Sequence, residues 1–424
     1  MSSLTLRLLF LSLGFFLAAC SGTSGSGTVN VPPGPAVYFP NTLTGDNVIP
    51  LSVGACGVDG YHNEPCISVT ICEPGSTVHC QTIKNILVDT GSYGLKIFSS
   101  LITLSLPQIQ IGNDDLANCT GYLDGSGHWG PMKYADVKLG NLTAPSIPIV
   151  ALDATYYSAQ AKANCTAVPD SSPAVAGFNG IIGVGGFVHD CDVGSNGVLN
   201  DCALQAVPKS YYTCSESTGS KVCTETAVAE AKQLTNPIAK MPSGYDNGLV
   251  IKLPSVPDVG AGAAYGYMML GIGTVSDSNN LASGVTVYPT SNSGYFTTKF
   301  DNTTLIKSFI DSGSNFLFFR PSIALPKCSG SDTWFCPSTT QSLSANLVGS
   351  GGSPTGVISF EIGNTNTLIS YNNMVYDNVG GDIGVSNMFD WGLPFFLGRS
   401  VFVGIKGSSA TVNGAVSAGP FWAF

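Results

Sequence analysis

Apolar and polar positions alternate along this chain in short runs, and turn residues break almost every one of them. Ile67 to Ile71 alternates as a strand, turns at Pro74-Gly75, and returns through Val78 to Val88. Tyr122 to Gly130 is rich in Gly, with Asp124-Gly125 as a hairpin turn. Lys133 to Leu139 alternates again, Ser146 to Leu152 reads as a buried run, and Ala176 to Gly183 closes this half. Strands are expected to resume at Leu249–Leu253 and Tyr265–Leu270, then at Val285–Tyr288 and Tyr295–Phe300, with Val401–Ile405 as the last. Between these sets, residues 187–245 read as a Cys-rich insertion. It carries a Cys-closed hairpin near Tyr211 to Thr224 and one helical patch over Thr226 to Leu234.

Two of the runs end alike. Ile86-Leu87-Val88 leads into Asp89-Thr90-Gly91-Ser92, and Phe309-Ile310 leads into Asp311-Ser312-Gly313-Ser314. Each is followed at similar spacing by an apolar-apolar-Gly segment, Ile181-Ile182-Gly183 and Phe396-Leu397-Gly398, which points to an internally duplicated β-fold. Carboxylates on Gly turns at strand ends can approach closely. They then share a proton and titrate as a pair, one acting as general base on water and the other as acid. In such an arrangement the hydroxyls of Thr90 and Ser312 can lock the two turns together. Those of Ser92 and Ser314 can hydrogen-bond the outer carboxylate oxygens, and Gly91 and Gly313 leave room for backbone to reach the carboxylates.

Composition narrows the class. The chain has 424 residues, ample for two lobes, with 51 Gly, 25 Pro and only 10 % charged residues, which favours β-structure over helical bundles. The net charge is −10, and −11 once a leader carrying only Arg7 is removed (−10 − 1), which argues against nucleic acid and against basic adhesion to anionic lipid.

The first nineteen residues read as a secretory leader with an apolar stretch from Leu8 to Leu17. Leu17-Ala18-Ala19-Cys20 resembles the bacterial lipoprotein signal, in which Cys20 becomes the lipidated first residue, and Ser21 resembles sorting to the outer membrane. An ordinary leader cut after Ala19, or an uncut anchor, is the alternative. Residues 20–46, rich in Gly, Ser, Thr and Pro, read as a tether with no room for a folded pro-segment. Setting Cys20 aside leaves twelve of the thirteen Cys, with no C-x-x-C and no paired Cys/His pattern, so disulfides rather than a metal are expected. Cys72/Cys80, Cys214/Cys223 and Cys328/Cys336 each flank a short turn. Spacing alone leaves the connectivity of the other six open, with Cys56/Cys66, Cys191/Cys202 and Cys119/Cys165 as one assignment. Gly125 to Gly130 matches G-x-G-x-x-G but opens no helix, which argues against a dinucleotide site. His128 and His189 read as surface residues.

The two Asp motifs resemble the two active-site loops of the pepsin-like aspartic proteases, and the similarity covers most of the chain from about Val48 onward. Tyr122-Leu123-Asp124-Gly125-Ser126 resembles the flap motif of that family, which implies Tyr122 over the substrate and Asp124 near its backbone. Phe178 to Gly183 resembles the segment behind the first loop, and Phe395 to Gly398 the matching segment of the second lobe. Asn179 stands for the usual Asp and Leu123 for the flap Gly, and residues 187–245 are not a feature of the family. With its leader and Cys count, the whole resembles an uncharacterised bacterial lipoprotein family of this fold.

The resemblance implies an all-β, bilobal fold with a central cleft, an N-terminal lobe over 47–275 and a C-terminal lobe over 276–424. It implies Asp89 and Asp311 as the catalytic pair, supported by Thr90, Gly91, Ser92, Ser312, Gly313 and Ser314, with Tyr122, Asp124 and Gly125 at the flap. No metal or cofactor is expected. The expected substrate is a peptide or unfolded protein, and the leader implies membrane contact through the N-terminal lipid only and a place in the bacterial cell envelope, at the outer membrane and facing periplasm or surface. The sequence is silent on oligomeric state. The competing expectations are an inactive pepsin-like binding lipoprotein, or a structural one whose Asp turns merely cap strands.

Overall fold

The computed structural model describes residues 32–424, apart from 58–60, 123–124, 158–164, 166–167, 193–198, 218–219, 274–281, 322 and 383. The predicted leader, most of the tether and Cys20 lie outside the described residues, as do Leu123 and Asp124. The chain is all-β. Among the described residues, eighteen strands join one hydrogen-bonded network, seven form a second sheet, and Ser409–Val412 with Ala415–Ala418 makes a separate hairpin.

Both Asp motifs are placed by the same local construction. Cys80–Asp89 is a strand whose last residues, Ile86, Leu87 and Val88, are fully buried. Its end pairs in parallel with Gly180–Val184, in a register that sets Gly183 beside Asp89. The same Gly180–Val184 pairs antiparallel with Tyr93–Phe98, the strand that leaves the turn. In the second sheet, Thr303–Ile310 enters the Asp311 turn and pairs in parallel with Met388–Trp391, which pairs antiparallel with the departing strand Leu317–Phe319. One strand is thus wedged between the entering and departing strands of each turn, which fixes the turn from both sides. Each buried Val, Leu or Ile on these strands contributes about 1.5–3 kcal/mol relative to exposure.

This pairing corrects the second closing segment. The strand beside Ile310 is Met388–Trp391 and the Gly that follows it is Gly392, whereas Phe395 and Phe396 lie in the short 3-10 helix Leu393–Phe396. A Cβ on Gly392 would strike the carbonyl oxygens of Ser314 and Phe316, and one on Gly183 would strike the backbone of Ser92 and Tyr93. Each turn therefore needs a Gly beneath it. The run Phe395-Phe396-Leu397 is apolar for another reason, since it packs in the core, with Phe395 against Trp391 and Phe424.

The 187–245 segment is stitched into the sheet. Its hairpin, Tyr211–Ser217 with Ser220–Glu225, is closed by Cys214–Cys223, and its first strand pairs antiparallel with Asp114–Gly121. The expected helical patch over Thr226–Leu234 reduces to one 3-10 turn, Glu230–Lys232. Val228 and Leu234 are buried from backbone outside any helix, because tertiary contacts and not helix periodicity space them. Val401–Ile405 is not the last strand, for Ser400–Gly404 is followed by three more, ending with Phe421–Ala423, which returns to pair with it. All six disulfides form, Cys56–Cys66, Cys72–Cys80, Cys119–Cys165, Cys191–Cys202, Cys214–Cys223 and Cys328–Cys336.

Candidate active site

The two turns meet and grip each other. Thr90 Oγ1 donates to the Ile310 carbonyl (3.0 Å) and accepts from the Ser312 N–H (2.9 Å). In mirror fashion Ser312 Oγ donates to the Val88 carbonyl (2.7 Å) and accepts from the Thr90 N–H (3.1 Å). Both side chains are buried, so each hydroxyl satisfies backbone groups that would otherwise be orphaned at the strand ends.

The grip presses two fully buried carboxyls together. Gly91 N–H donates to Asp89 Oδ1 (2.7 Å) and the Ser92 hydroxyl donates to Asp89 Oδ2. On the other side Gly313 N–H donates to Asp311 Oδ1 (2.8 Å) and the Ser314 hydroxyl to Asp311 Oδ2 (3.0 Å). A Cβ on Gly91 would lie 2.6 Å from Asp311 Oδ2, and one on Gly313 would lie 2.8 Å from Asp89 Oδ1. The two glycines thus stand where any side chain would force the carboxyls apart.

Electrostatics follows from this packing. Burial, the charge of Asp89 and then that of Asp390 hold the Asp311 carboxyl well above the usual carboxylate range, and Asp89 is also in hydrogen-bonding contact with it. Like charges at this separation repel, which adds to burial in holding the proton on Asp311. Chemically, a pair of this kind can take a proton from water with one member and give a hydrogen bond with the other. Tyr93, directly after Ser92, has its phenol pushed far up by burial and by Tyr295, Asp89, Asp192 and Asp311.

The structure therefore brings together Asp89, Thr90, Gly91, Ser92, Asp311, Ser312, Gly313 and Ser314. Of the residues expected at a flap, Tyr122 and Gly125 are described, and both lie at one hairpin turn. Gly125, at φ +86°, lies in the turn between Asp114–Gly121 and Ser126–Leu139, and Tyr122 N–H donates across it to the Ser126 carbonyl (3.0 Å). The Tyr122 ring is buried, and its hydroxyl is paired with His128 Nδ1 at 2.7 Å. His128 is not a surface residue: it is only 1 % exposed, with Nε2 3.2 Å from Asp170 Oδ2. The strand Ser126–Leu139 is covered on both faces at this point, so His128 and its neighbour Trp129 are both inside, and Tyr122 and Asp170 supply the polar partners that burial demands. His189 is half-buried, 3.5 Å from Asp192.

Sequence reasoning passed over two groups. Asp390, fully buried behind the Asp311 turn, sits in the apolar run Met388–Trp391; a lone carboxyl inside such a strand was the available signal. Asp190 is half-buried, accepting from the Tyr211 hydroxyl and from Asn118 Nδ2 (3.2 Å), and its loss of water pushes its carboxyl up to about 6. Nothing in its local sequence marks it.

A family model described as a protein of unknown function (DUF3443) matches residues 44–424, so the chain belongs to that family. No curated protein was found to match it.

Proposed function

We propose that this protein is an aspartic endopeptidase with a bilobal, pepsin-like fold, held in the bacterial cell envelope by a lipid on Cys20. The observation that carries the reading is the pair itself. Asp89 and Asp311 are fully buried and in contact, each takes one amide and one hydroxyl hydrogen bond, and Thr90 and Ser312 lock their turns. Strand caps that met by accident would not need two glycines cleared for each other's carboxyls.

In the proposed reaction a water bound between the carboxyls loses a proton to Asp89 as its oxygen attacks the peptide carbonyl. Asp311, the member held protonated, gives its proton to the carbonyl oxygen. The tetrahedral adduct then collapses as Asp89 returns a proton to the leaving nitrogen, while Asp311 takes its own back. Atoms and charges balance without a metal. The substrate is an extended peptide or unfolded protein, paired by its backbone beside the Tyr122–Ser126 turn.

The test is cleavage of a denatured protein by the purified chain across acid to neutral pH, with pepstatin as inhibitor. Cleavage that pepstatin blocks and Asp89→Asn abolishes is the expected result. Undiminished cleavage by that variant would rule the mechanism out.

A second reading, a peptide- or envelope-binding protein without peptidase activity, is favoured by the occupation of the Tyr122 hydroxyl by His128. Tight capture of uncut peptides by wild type and Asp89→Asn alike would select it.

A further inference from the structure

Behind the Asp311 turn lies a third carboxyl. Asp390 stands in register with Phe309 on the entering strand and with Phe318 on the departing strand, and is fully buried between them. Neither of its oxygens makes a hydrogen bond of ordinary geometry. The polar side chain that acts on it is the Ser314 hydroxyl, whose single proton is already donated to Asp311 Oδ2 at 3.0 Å. One hydroxyl hydrogen is thus set between two carboxyls, and a third carboxyl, Asp89, touches the nearer of them. A buried carboxylate with no donor of its own is strongly disfavoured, so Asp390, like Asp311, is held well above the usual carboxylate range.

We propose that Asp390 is a positioning residue for the Asp89–Asp311 pair, a third carboxyl that keeps the pair's proton on Asp311 and extends its singly ionised range towards neutral pH. The inference rests on the peptidase reading of that pair.

In a site of two carboxyls the second ionisation strips the pair of its proton and ends acid catalysis. With three in one hydrogen-bonded cluster, the next proton to leave can come from Asp390. Asp311 then faces two negative charges and holds its own proton more tightly. Ser314 links the steps: its hydroxyl serves Asp311 while Asp390 is protonated, and turns to Asp390 once that group ionises. Both changes favour the protonated form of Asp311. Burial and Asp89 raise Asp390 as well, against the Ser314 hydroxyl, so the cluster titrates as a unit. From neighbouring elements Tyr93, after the Asp89 turn, is the titratable group that faces the pair, and Tyr295 and Asp192 stand beyond it, acting on Tyr93. Burial raises both phenols, which therefore bring no charge in this range.

The test is a carboxyl ¹³C NMR titration of the full chain labelled at Asp, beside the pH profile of kcat/KM, for wild type, Asp390→Asn and Asp390→Glu. In Asp390→Asn, the Asp311 titration and the alkaline limb of the profile are expected to fall by about one pH unit. Asp390→Glu should restore part of that shift. Asp311 titrating alike in wild type and Asp390→Asn would overturn the proposal. If the Asn variant does not fold, the wild-type spectrum decides: the Asp311 curve must show an inflection at the Asp390 step, and its absence refutes the coupling. The NMR reading needs no substrate. A chain that cleaves nothing but shows the coupled titration would sink the peptidase reading and leave the three-carboxyl cluster standing.

Discussion

The two Asp turns share one construction but rest on different ground. Two residues before each Asp, the wedged strand offers Ile181 opposite Leu87 in one case and Asp390 opposite Phe309 in the other. Around the Asp89 turn the support is aliphatic, from Ile86, Val88, Leu95, Ile97 and Ile182, all fully buried. Around the Asp311 turn it is aromatic. Phe389 stacks on Trp391 at 4.1 Å and on Phe319 at 4.7 Å, and Trp391 Nε1 donates to Thr298 Oγ1 (3.1 Å). A near-symmetric backbone can therefore hold two chemically unequal carboxyls. The amide and hydroxyl hydrogen bonds that each Asp receives are matched, and the difference between the turns lies in what is buried behind them. Position in the fold makes both residues available; on the proposal above, the carboxyl behind Asp311 decides which one keeps the proton.

The strongest way to break this comparison is to remove each carboxyl in turn. Asp89→Asn and Asp311→Asn should each lower kcat/KM by about 10²–10⁴-fold. The pH profile of any residual activity should lose its alkaline limb in Asp311→Asn. Equal profiles in the two variants would show that the turns are interchangeable.

Only the first half carries the 187–245 segment, and Asp190, held within it by Tyr211, links it to Asn118. Since burial raises Asp190 from 3.8 to about 6, the folded state binds this proton more tightly than the unfolded one. Its contribution to stability is complete below pH ~4 and is lost as pH rises through ~6, a swing of roughly 3 kcal/mol. Asp190→Asn should flatten that part of the stability–pH curve measured by denaturant unfolding. An unchanged slope would place the pH dependence elsewhere.

The grip offers a symmetric control. Thr90→Val leaves the Ser312 N–H without its acceptor, and Ser312→Ala does the same to the Thr90 N–H. Each should cost about 1–3 kcal/mol in chemical denaturation, by similar amounts. A large difference would mean that the two halves do not share the load. The smallest effect is expected at the hairpin, where Tyr122→Phe removes the bond to His128 at a cost of about 1 kcal/mol. Faster exchange of the Ser126–Gly130 amides in that variant would tie the turn's order to this pair, and unchanged exchange would dissociate them.

What could be read from the chain reflects the range of each interaction. Apolar alternation and turn residues located about half of the described strands, because both are local consequences of backbone geometry and burial, while pairs such as Gln341–Val348 with Thr355–Ile362 went unread. The short loops between neighbouring Cys made Cys72–Cys80, Cys214–Cys223 and Cys328–Cys336 legible for the same reason. The repeated Asp-Thr/Ser-Gly-Ser identified the eight residues that meet at the pair, since a turn that clears space beside a carboxyl must spell Gly at a fixed offset. Only the tertiary structure decided what stands around them. Phe395 to Gly398 and Met388 to Gly392 are both apolar runs ending in Gly, and strand pairing, which the one-dimensional pattern does not contain, chose the second. Likewise a charged letter in an apolar run, such as Asp390, or a His beside a Gly turn, such as His128, has no assigned side until the sheet folds. Burial is a property of the whole packed chain, and burial set the protonation of Asp311, Asp390 and Asp190.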